Sequence, residues 1–214
     1  MEKRSTFSIC STTWYPSPPP GVLLTHNLSW SEHIHAMAAK ANSKLGWARR
    51  NLRGCPYKLR AIAYTTLIRP GIEYSDSVWD PTTKADAELL DQVQNRASRW
   101  ASGKSKFESC SVTALQRKLG WIPLSERRRH HRLTTLYKIR NNLLAVDPSS
   151  VDLESNPRPG KHNKYKVLSG QRSDSSIWHQ FVFRTVREWN DLPASLAEAG
   201  SLDVFKARLA APCP

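Results

Sequence analysis

Three carboxylates lie close together in the segment LIRPGIEYSDSVWDP: Glu73, Asp76 and Asp80. Carboxylates that converge on two metal ions catalyse nucleotidyl transfer in polymerases, which usually place an adjacent Asp pair on a tight hairpin. This chain contains no Asp-Asp pair. Pro70, which breaks helices, and Pro81 bracket the three carboxylates. We therefore interpret the segment as a structural corner between two helices, packed by Tyr74 and Trp79.

The other residues that could do chemistry are histidines and cysteines. His33 and His35 are two positions apart, which on a helix turns their rings about 200° from each other and gives a poor metal site. Four cysteines are scattered along the chain without a CxxC pair: Cys10, Cys55, Cys110 and Cys213. This spacing supports neither a disulfide framework nor a zinc site. We predict no catalytic residue, no metal and no cofactor.

Positive charge is the strongest signal in the composition. The net charge is +14, and it is segregated along the chain. Residues 31–66 contain seven Lys or Arg and one acid, whereas residues 73–91 contain six acids and one Lys. Clustered cations bind phosphate backbones through counterion release, so the predicted partner is a polyanion, with nucleic acid favoured. The predicted contact residues are Lys40, Lys44, Arg49, Arg96, Arg99, Arg128 and Arg132.

The run ERRRHHRL, from Glu126 to Leu133, is the densest basic stretch. On a helix, Arg128 and Arg132 share one face. The run is typical of a phosphate-binding patch or a nuclear address, and equally of a solvated helix face. The adjacent pair His130-His131 fits hydrogen bonding to phosphate better than metal binding.

Helical periodicity dominates the chain, and strand signals are nearly absent, so the predicted fold class is all-α. A first helix should follow Ser29 or Ser31, with an apolar stripe from Ile34 to Leu52. A second should run from Pro56 to Arg69 on a stripe of Leu59, Ile62, Ala63 and Leu67, and should end or kink at Pro70. A third should begin at the capping-box pattern Thr83-x-x-Asp86.

Further helices are expected over Ser111–Leu119, after Pro123, up to Asn190 and from Leu202 to Leu209. Gly120 should end one of them, with Trp121 packing back. No run of about 18 apolar residues is present, so no membrane span is predicted. The N-terminus lacks the apolar core of a signal peptide, and the expected location is intracellular, in the nucleus or cytoplasm.

Several blocks, taken in order, resemble the C-terminal end of the reverse transcriptase of jockey-like non-LTR retrotransposons. The blocks are GVLLTHNLSWSEHI, RNL, AYTTLIRPGIEYSDSVWDPTTKADAELLDQVQNRASRW, SVTALQRKLGWIPLSERRRHHRLTTLYKIRNNLL and FRTVREWNDLP. The pattern TLxRPxxEYxxxVWDPxT is the most specific of them. The resemblance implies that Gly21-Val22 closes the palm and that the next helices form the thumb, which grips template–primer duplex through its backbone.

The family's fingers, palm and catalytic Asp-Asp motif would precede Gly21, so no catalytic residue carries over. The resemblance implies the following organisation: 1–20 a disordered Pro-rich leader, 21–30 a palm-remnant strand and cap, 31–106 a three-helix thumb-like bundle, 107–146 a basic helical segment, 147–176 a linker, and 177–214 a C-terminal helical segment.

The resemblance implies a catalytically inactive reverse transcriptase fragment that binds RNA or RNA–DNA duplex through phosphate contacts, without sequence preference. One alternative is a protein–protein interaction module, in which Met37, Leu45 and Leu67 meet a partner or a second copy at the surface that the missing palm exposes. Another is a genomic relic without a selected function. Polymerase activity of the chain itself is not expected.

Overall fold

Helices account for nearly all the regular structure in the computed structural model, which describes residues 5–7, 21–25, 29–104, 108–146, 153–155, 165–167 and 177–211. The predicted all-α class is confirmed. The chain forms two units, Met1–Ser125 and Glu126–Pro214. The predicted basic segment 107–146 is divided between them.

The first unit is built mainly from three helical stretches. Its elements are β1 (Ser5–Phe7), β2 (Val22–Leu24), α1 (Ser31–Asn51), α2 (Tyr57–Ala63), a π-helix (Tyr64–Ile68), α3 (Arg69–Glu73), α4 (Asp76–Trp79), α5 (Lys84–Ala101) and α6 (Val112–Lys118). β1 and β2 pair antiparallel, with Thr6 opposite Leu23. The strand at Gly21–Leu24 was predicted. Its partner strand β1 was not predicted, because it lies inside the leader that was expected to be disordered. The proline-rich part of that leader lies outside the described residues.

The core of the first unit lies between α1 and α5. Helix α1 buries Ile34, Ala38, Ala41, Leu45 and Ala48, which confirms the stripe predicted for it. Helix α5 contributes residues at the same helical spacing: Leu90, Val93, Ala97, Trp100 and Ala101. Alanines in both stripes (Ala38, Ala41 and Ala48 in α1, Ala97 and Ala101 in α5) let the two backbones approach closely. Apolar burial stabilises the contact by about 25 cal/mol for each Å² removed from water.

Asp86 links the beginnings of these two helices. The Thr83 hydroxyl accepts a hydrogen bond from the Asp86 amide at 3.1 Å and donates one to the Asp86 carboxylate at 2.7 Å, which confirms the predicted cap. The same carboxylate accepts a hydrogen bond from Ser31, the first residue of α1, at 2.7 Å. Asp86 is buried, so its charge is stabilised chiefly by these hydroxyl groups and not by water.

The second helical stretch faces the core with a different set of residues from the predicted stripe. Leu59, Ile62 and Leu67 are 45%, 54% and 51% exposed, so the prediction that they are buried was wrong. The buried residues are Ala63, Tyr64, Ile68 and Ile72. The π-helix adds one residue to a turn, which changes the register of the buried face.

Pro70 does not end this stretch. The backbone remains helical to Glu73, with Pro70 near the start of α3. Pro lacks an amide hydrogen and clashes with the carbonyl four residues earlier in a regular α-helix. In the preceding π-helix the Arg69 amide donates to the Tyr64 carbonyl, five residues back, and this wider turn accommodates the proline.

The acidic corner follows. Ser75 adopts a left-handed conformation with φ of 54°, and the chain turns into α4. Trp79 is fully buried, and its indole nitrogen donates to the Tyr74 carbonyl at 2.7 Å, so Trp79 anchors the corner as expected. Tyr74 does not, because its side chain is half exposed.

Helix α6 is held against α5 by a hydrogen bond from the Gln116 side chain to Asn95 at 2.8 Å. Gly120 has a φ of +68°, a conformation that favours glycine, and it ends the helix as predicted. Trp121 then returns to the core and its ring contacts Tyr64, with centroids 4.4 Å apart.

The second unit has its own core. It contains most of α7 (Leu124–Arg140), a short antiparallel pair β3 (Leu153–Ser155) and β4 (Tyr165–Val167), then α8 (Ile177–Asn190), α9 (Ala194–Ala197) and α10 (Leu202–Ala210). The β pair lies in the predicted linker 147–176, most of which is outside the described residues. Trp189 and Phe205 are buried at the centre, and the Tyr137 hydroxyl donates to the Ala199 carbonyl at 2.7 Å.

No helix within the described residues is both long enough and apolar enough to cross a membrane.

The Asp86 link yields a stability prediction. Replacing Asp86 with Ala removes the acceptor for two hydroxyl groups, and we expect the free energy of unfolding to fall by about 2–3 kcal/mol. Urea denaturation followed by circular dichroism measures this change. Glu88→Ala is the matched control on the same helix, because Glu88 is exposed and pairs only with exposed Lys84. Equal effects of the two substitutions would contradict the role of Asp86.

Candidate nucleic-acid interface

A groove runs between α1 and α5, beside their packed stripes. Its volume is about 640 Å³, and Leu45 and Trp100 form part of its floor. The polar lining residues include Asn42, Arg49, Gln92, Asn95, Arg96, Arg99 and Lys104. None of the lining residues is an acid, so the groove presents positive charge from two helices to a common space.

A second concavity of about 500 Å³ continues this groove around the C-terminal end of α1. It shares Gly46, Arg49 and Trp100 with the first and adds Arg50, Arg53 and Arg60. We call the two together the basic groove. Its cations are Arg49, Arg50, Arg53, Arg60, Arg96, Arg99 and Lys104.

Hydrogen bonds hold several of these cations in place. Arg96 donates to the Asn42 side chain at 3.0 Å, across the space between α5 and α1. Arg60 donates to the Trp100 carbonyl at 2.9 Å and to the Cys55 carbonyl at 3.0 Å, which fixes its guanidinium at the end of α5. Basic groups are favourable there, because the C-terminus of a helix carries partial negative charge.

Lys104 and Arg99 differ in their polar partners. Lys104 forms an ion pair with Glu108 at 2.5 Å, and this hydrogen bond raises the pKa of the Lys104 ammonium above its usual value. The Nε atom of Arg99 is buried and makes no hydrogen bond within the described part of the chain. A buried donor without an acceptor raises the free energy of the folded state.

Three of the predicted contact residues, Arg49, Arg96 and Arg99, therefore meet at one surface. Lys40 and Lys44 do not. They line a separate, mostly apolar pocket of about 270 Å³ with Met37, Pro70 and Tyr74. Lys44 and Arg49 are five positions apart in sequence, so their side chains lie roughly 140° apart around α1. The buried stripe of α1 lies between them.

Arg128 and Arg132 share a face of α7, as predicted, but that face is turned inward. Their exposures are 4% and 3%. One nitrogen of Arg132 donates to both carboxylate oxygens of Glu188, at 2.6 and 2.8 Å. The prediction that these two arginines contact a phosphate backbone does not fit this arrangement, because α7 needs that face to pack its own unit.

Of the two histidines of α1, one is buried and one is exposed. His33 is buried, its Nδ1 accepts a hydrogen bond from the Leu23 amide at 3.3 Å, and its ring meets Trp79 edge to face. Burial lowers the pKa of His33, so the neutral form is favoured. His35 is exposed. No group of three or more His, Cys, Asp or Glu that could hold a metal ion occurs in the described residues.

No family model, curated protein or solved structure matches this chain.

Sequence reasoning did not select four cations of the basic groove: Arg50, Arg53, Arg60 and Lys104. Arg53 follows Arg49 by four positions, and this spacing could have identified Arg53 as a neighbour of Arg49 on the same face. Nothing local placed Arg60 at the end of α5, because that contact joins residues 40 positions apart.

The ion pair of Arg132 gives a prediction for the second unit. Arg132→Ala leaves the partly buried Glu188 carboxylate without its main partner, and we expect unfolding to become easier by about 3 kcal/mol. Duplex affinity of the folded protein should not change. Arg187→Ala, which removes an exposed arginine from α8, is the control. A stable Arg132→Ala protein with weakened duplex binding would restore Arg132 as a contact residue.

His33 gives a prediction about pH. Because its pKa is lowered in the folded state, the unfolded chain binds more protons below about pH 6.5, and stability must fall as pH drops through that range. His33→Asn keeps an acceptor for the Leu23 amide but cannot titrate. Urea midpoints measured between pH 7.5 and 5 should then vary less than in the parent protein. The exposed His35→Asn control should keep the parent profile, and an unchanged profile for His33→Asn would contradict this role.

Proposed function

We propose that this protein binds the phosphate backbone of double-stranded nucleic acid through the basic groove, without reading sequence. The observation that carries the proposal is the convergence of Arg49, Arg96 and Arg99 on one concave surface that has no acid in its lining. The Arg, Gln and Asn side chains that line the groove donate readily to phosphate oxygens.

The chemistry of the groove favours a polyanion over a small ligand. Seven cations extend over two connected concavities, which suits a row of phosphates better than one compact charge. The repulsion among these cations remains in the free protein and is relieved when counterions or phosphates bind. The resemblance to a retrotransposon thumb agrees with a grip on RNA or RNA–DNA duplex, and the role proposed is binding, inside the nucleus or cytoplasm.

Salt dependence and charge removal test the proposal together. A 20-base-pair RNA–DNA duplex labelled with fluorescein is titrated with protein at several salt concentrations. If about five phosphates are engaged, the slope of log affinity against log salt should be near −4 to −5, as calibrated on B-DNA. The triple variant Arg49→Gln, Arg96→Gln, Arg99→Gln should reduce the magnitude of that slope by about 2 to 3 and weaken binding at least about tenfold.

A matched triple variant, Lys58→Gln, Arg117→Gln, Lys118→Gln, removes the same charge from exposed positions outside the basic groove. It should change the slope little. A third protein, Lys40→Gln with Lys44→Gln, tests the pocket on the opposite side of α1. Equal losses in the two triple variants would mean that net charge alone drives binding, which would contradict a site in the groove.

A second candidate function is self-association through the exposed apolar residues of the second helical stretch. Leu59, Ile62 and Leu67 are each about half exposed, whereas Leu45, which was predicted to join such a surface, is in the core. Under this alternative, light scattering after gel filtration would show a salt-resistant dimer that Ile62→Lys disrupts. A monomer at 0.5 M salt would exclude it.

A further inference from the structure

The second unit contains a basic concavity that the proposed duplex binding does not use. It lies between α7 and α10 and has a volume of about 420 Å³. Its lining residues are Arg127, His130, His131, Thr134, Lys138, Lys206 and Leu209. Three side chains that are permanently cationic and two imidazoles thus border one small space, and no acid belongs to the lining.

The spacing along α7 explains how the pocket forms. Residues 127, 131, 134 and 138 follow one another at intervals of three and four, which places them on one face of the helix. Helix α10 completes the pocket with Lys206 and the buried side chain of Leu209. The inward face of α7, which carries Arg128 and Arg132, is a different one.

Two acids lie close to residues of α7. An oxygen of Glu126 is 3.9 Å from the Nε2 atom of the His130 imidazole. Glu188 is engaged by Arg129 and Arg132. Burial lowers the pKa of His130, Glu126 opposes that shift, and Arg129, His131 and Arg127 add to it. A bound anion would raise the pKa of His130, because it favours the protonated imidazole.

We propose that this pocket binds a small phosphate monoester as its dianion. The Lys138 and Lys206 ammonium groups, which come from different helices, border the same space as the His130 imidazole and the Thr134 hydroxyl, and these groups can donate to phosphate oxygens. A backbone phosphodiester carries a single charge and follows an extended row of cations. A half-buried pocket with a leucine wall fits a compact dianion better.

The experiment is a titration of the full-length, ¹⁵N-labelled protein, followed by NMR at constant ionic strength. The ligands are sulfate, methyl phosphate and dimethyl phosphate, and the last of these imitates the backbone diester. Sulfate and methyl phosphate should give saturable shifts at residues 127–138 and 206–209, and dimethyl phosphate should bind about tenfold more weakly because it has one charge. Equal binding of dimethyl phosphate, or shifts that never saturate, would overturn the proposal.

A variant that lacks the two pocket lysines provides a second test. The double variant Lys138→Gln, Lys206→Gln should weaken sulfate binding at least about tenfold, since two charge-assisted hydrogen bonds are lost. The control Lys118→Gln, Arg187→Gln removes the same charge from exposed positions elsewhere and should bind as the parent does. Equal weakening in both double variants would show general charge attraction and overturn the pocket.

The pH dependence gives a third readout. Sulfate remains a dianion from pH 7.5 to 5.5, so a change in its affinity reports on the protein. Affinity should rise about threefold or more over this range as the His130 imidazole gains charge, and His130→Gln should remove the rise. A rise that persists in that variant would contradict a part for His130. The basic groove lies in the other unit, so failure here leaves the duplex proposal standing.

Discussion

The packing of α1 against α5 is the constraint on which the basic groove depends. Small residues in both stripes let the two helices approach, and the Asp86 carboxylate joins their N-terminal ends through hydroxyl groups of Ser31 and Thr83. Arg49 and Arg96 then lie on the flanks of the same helices, next to the buried stripes. Because the stripe fixes the rotation of each helix about its axis, it also fixes where the flanking cations point.

Charge segregation acts on top of this packing. The basic stretch of α1 and the basic second half of α5 meet at one surface, while the acids of residues 73–91 fall at the corner and at the start of α5. Acids near the N-terminus of a helix and bases near its C-terminus are favourable for the helix itself. In α5 this arrangement also collects Arg96, Arg99 and Lys104 at the end that borders the groove. The same residues therefore serve helix stability and the proposed binding.

The sequence predicted the fold better than the site. The cap at Thr83, the stop at Gly120 and the stripe of α1 depend on neighbours within a few residues, and each was found where expected. The buried face of the second stretch was missed, because the predicted stripe assumed a regular α-helix, whereas the π-helix before Pro70 changes the register. Arg128 and Arg132 were misplaced for a related reason. Periodicity showed that they share a face, but only Glu188, 56 positions away from Arg132, shows that the face is internal.

The central claim is that the arginines of the basic groove contact the duplex while other exposed arginines do not. The most direct measurement follows the Nε–Hε signals of individual arginines by NMR as a 12-base-pair RNA–DNA duplex is added. The account predicts large, saturable shifts for Arg49, Arg96 and Arg99 and small ones for exposed Arg117 and Arg187. Shifts spread evenly over all exposed arginines, or confined to the second unit, would contradict it.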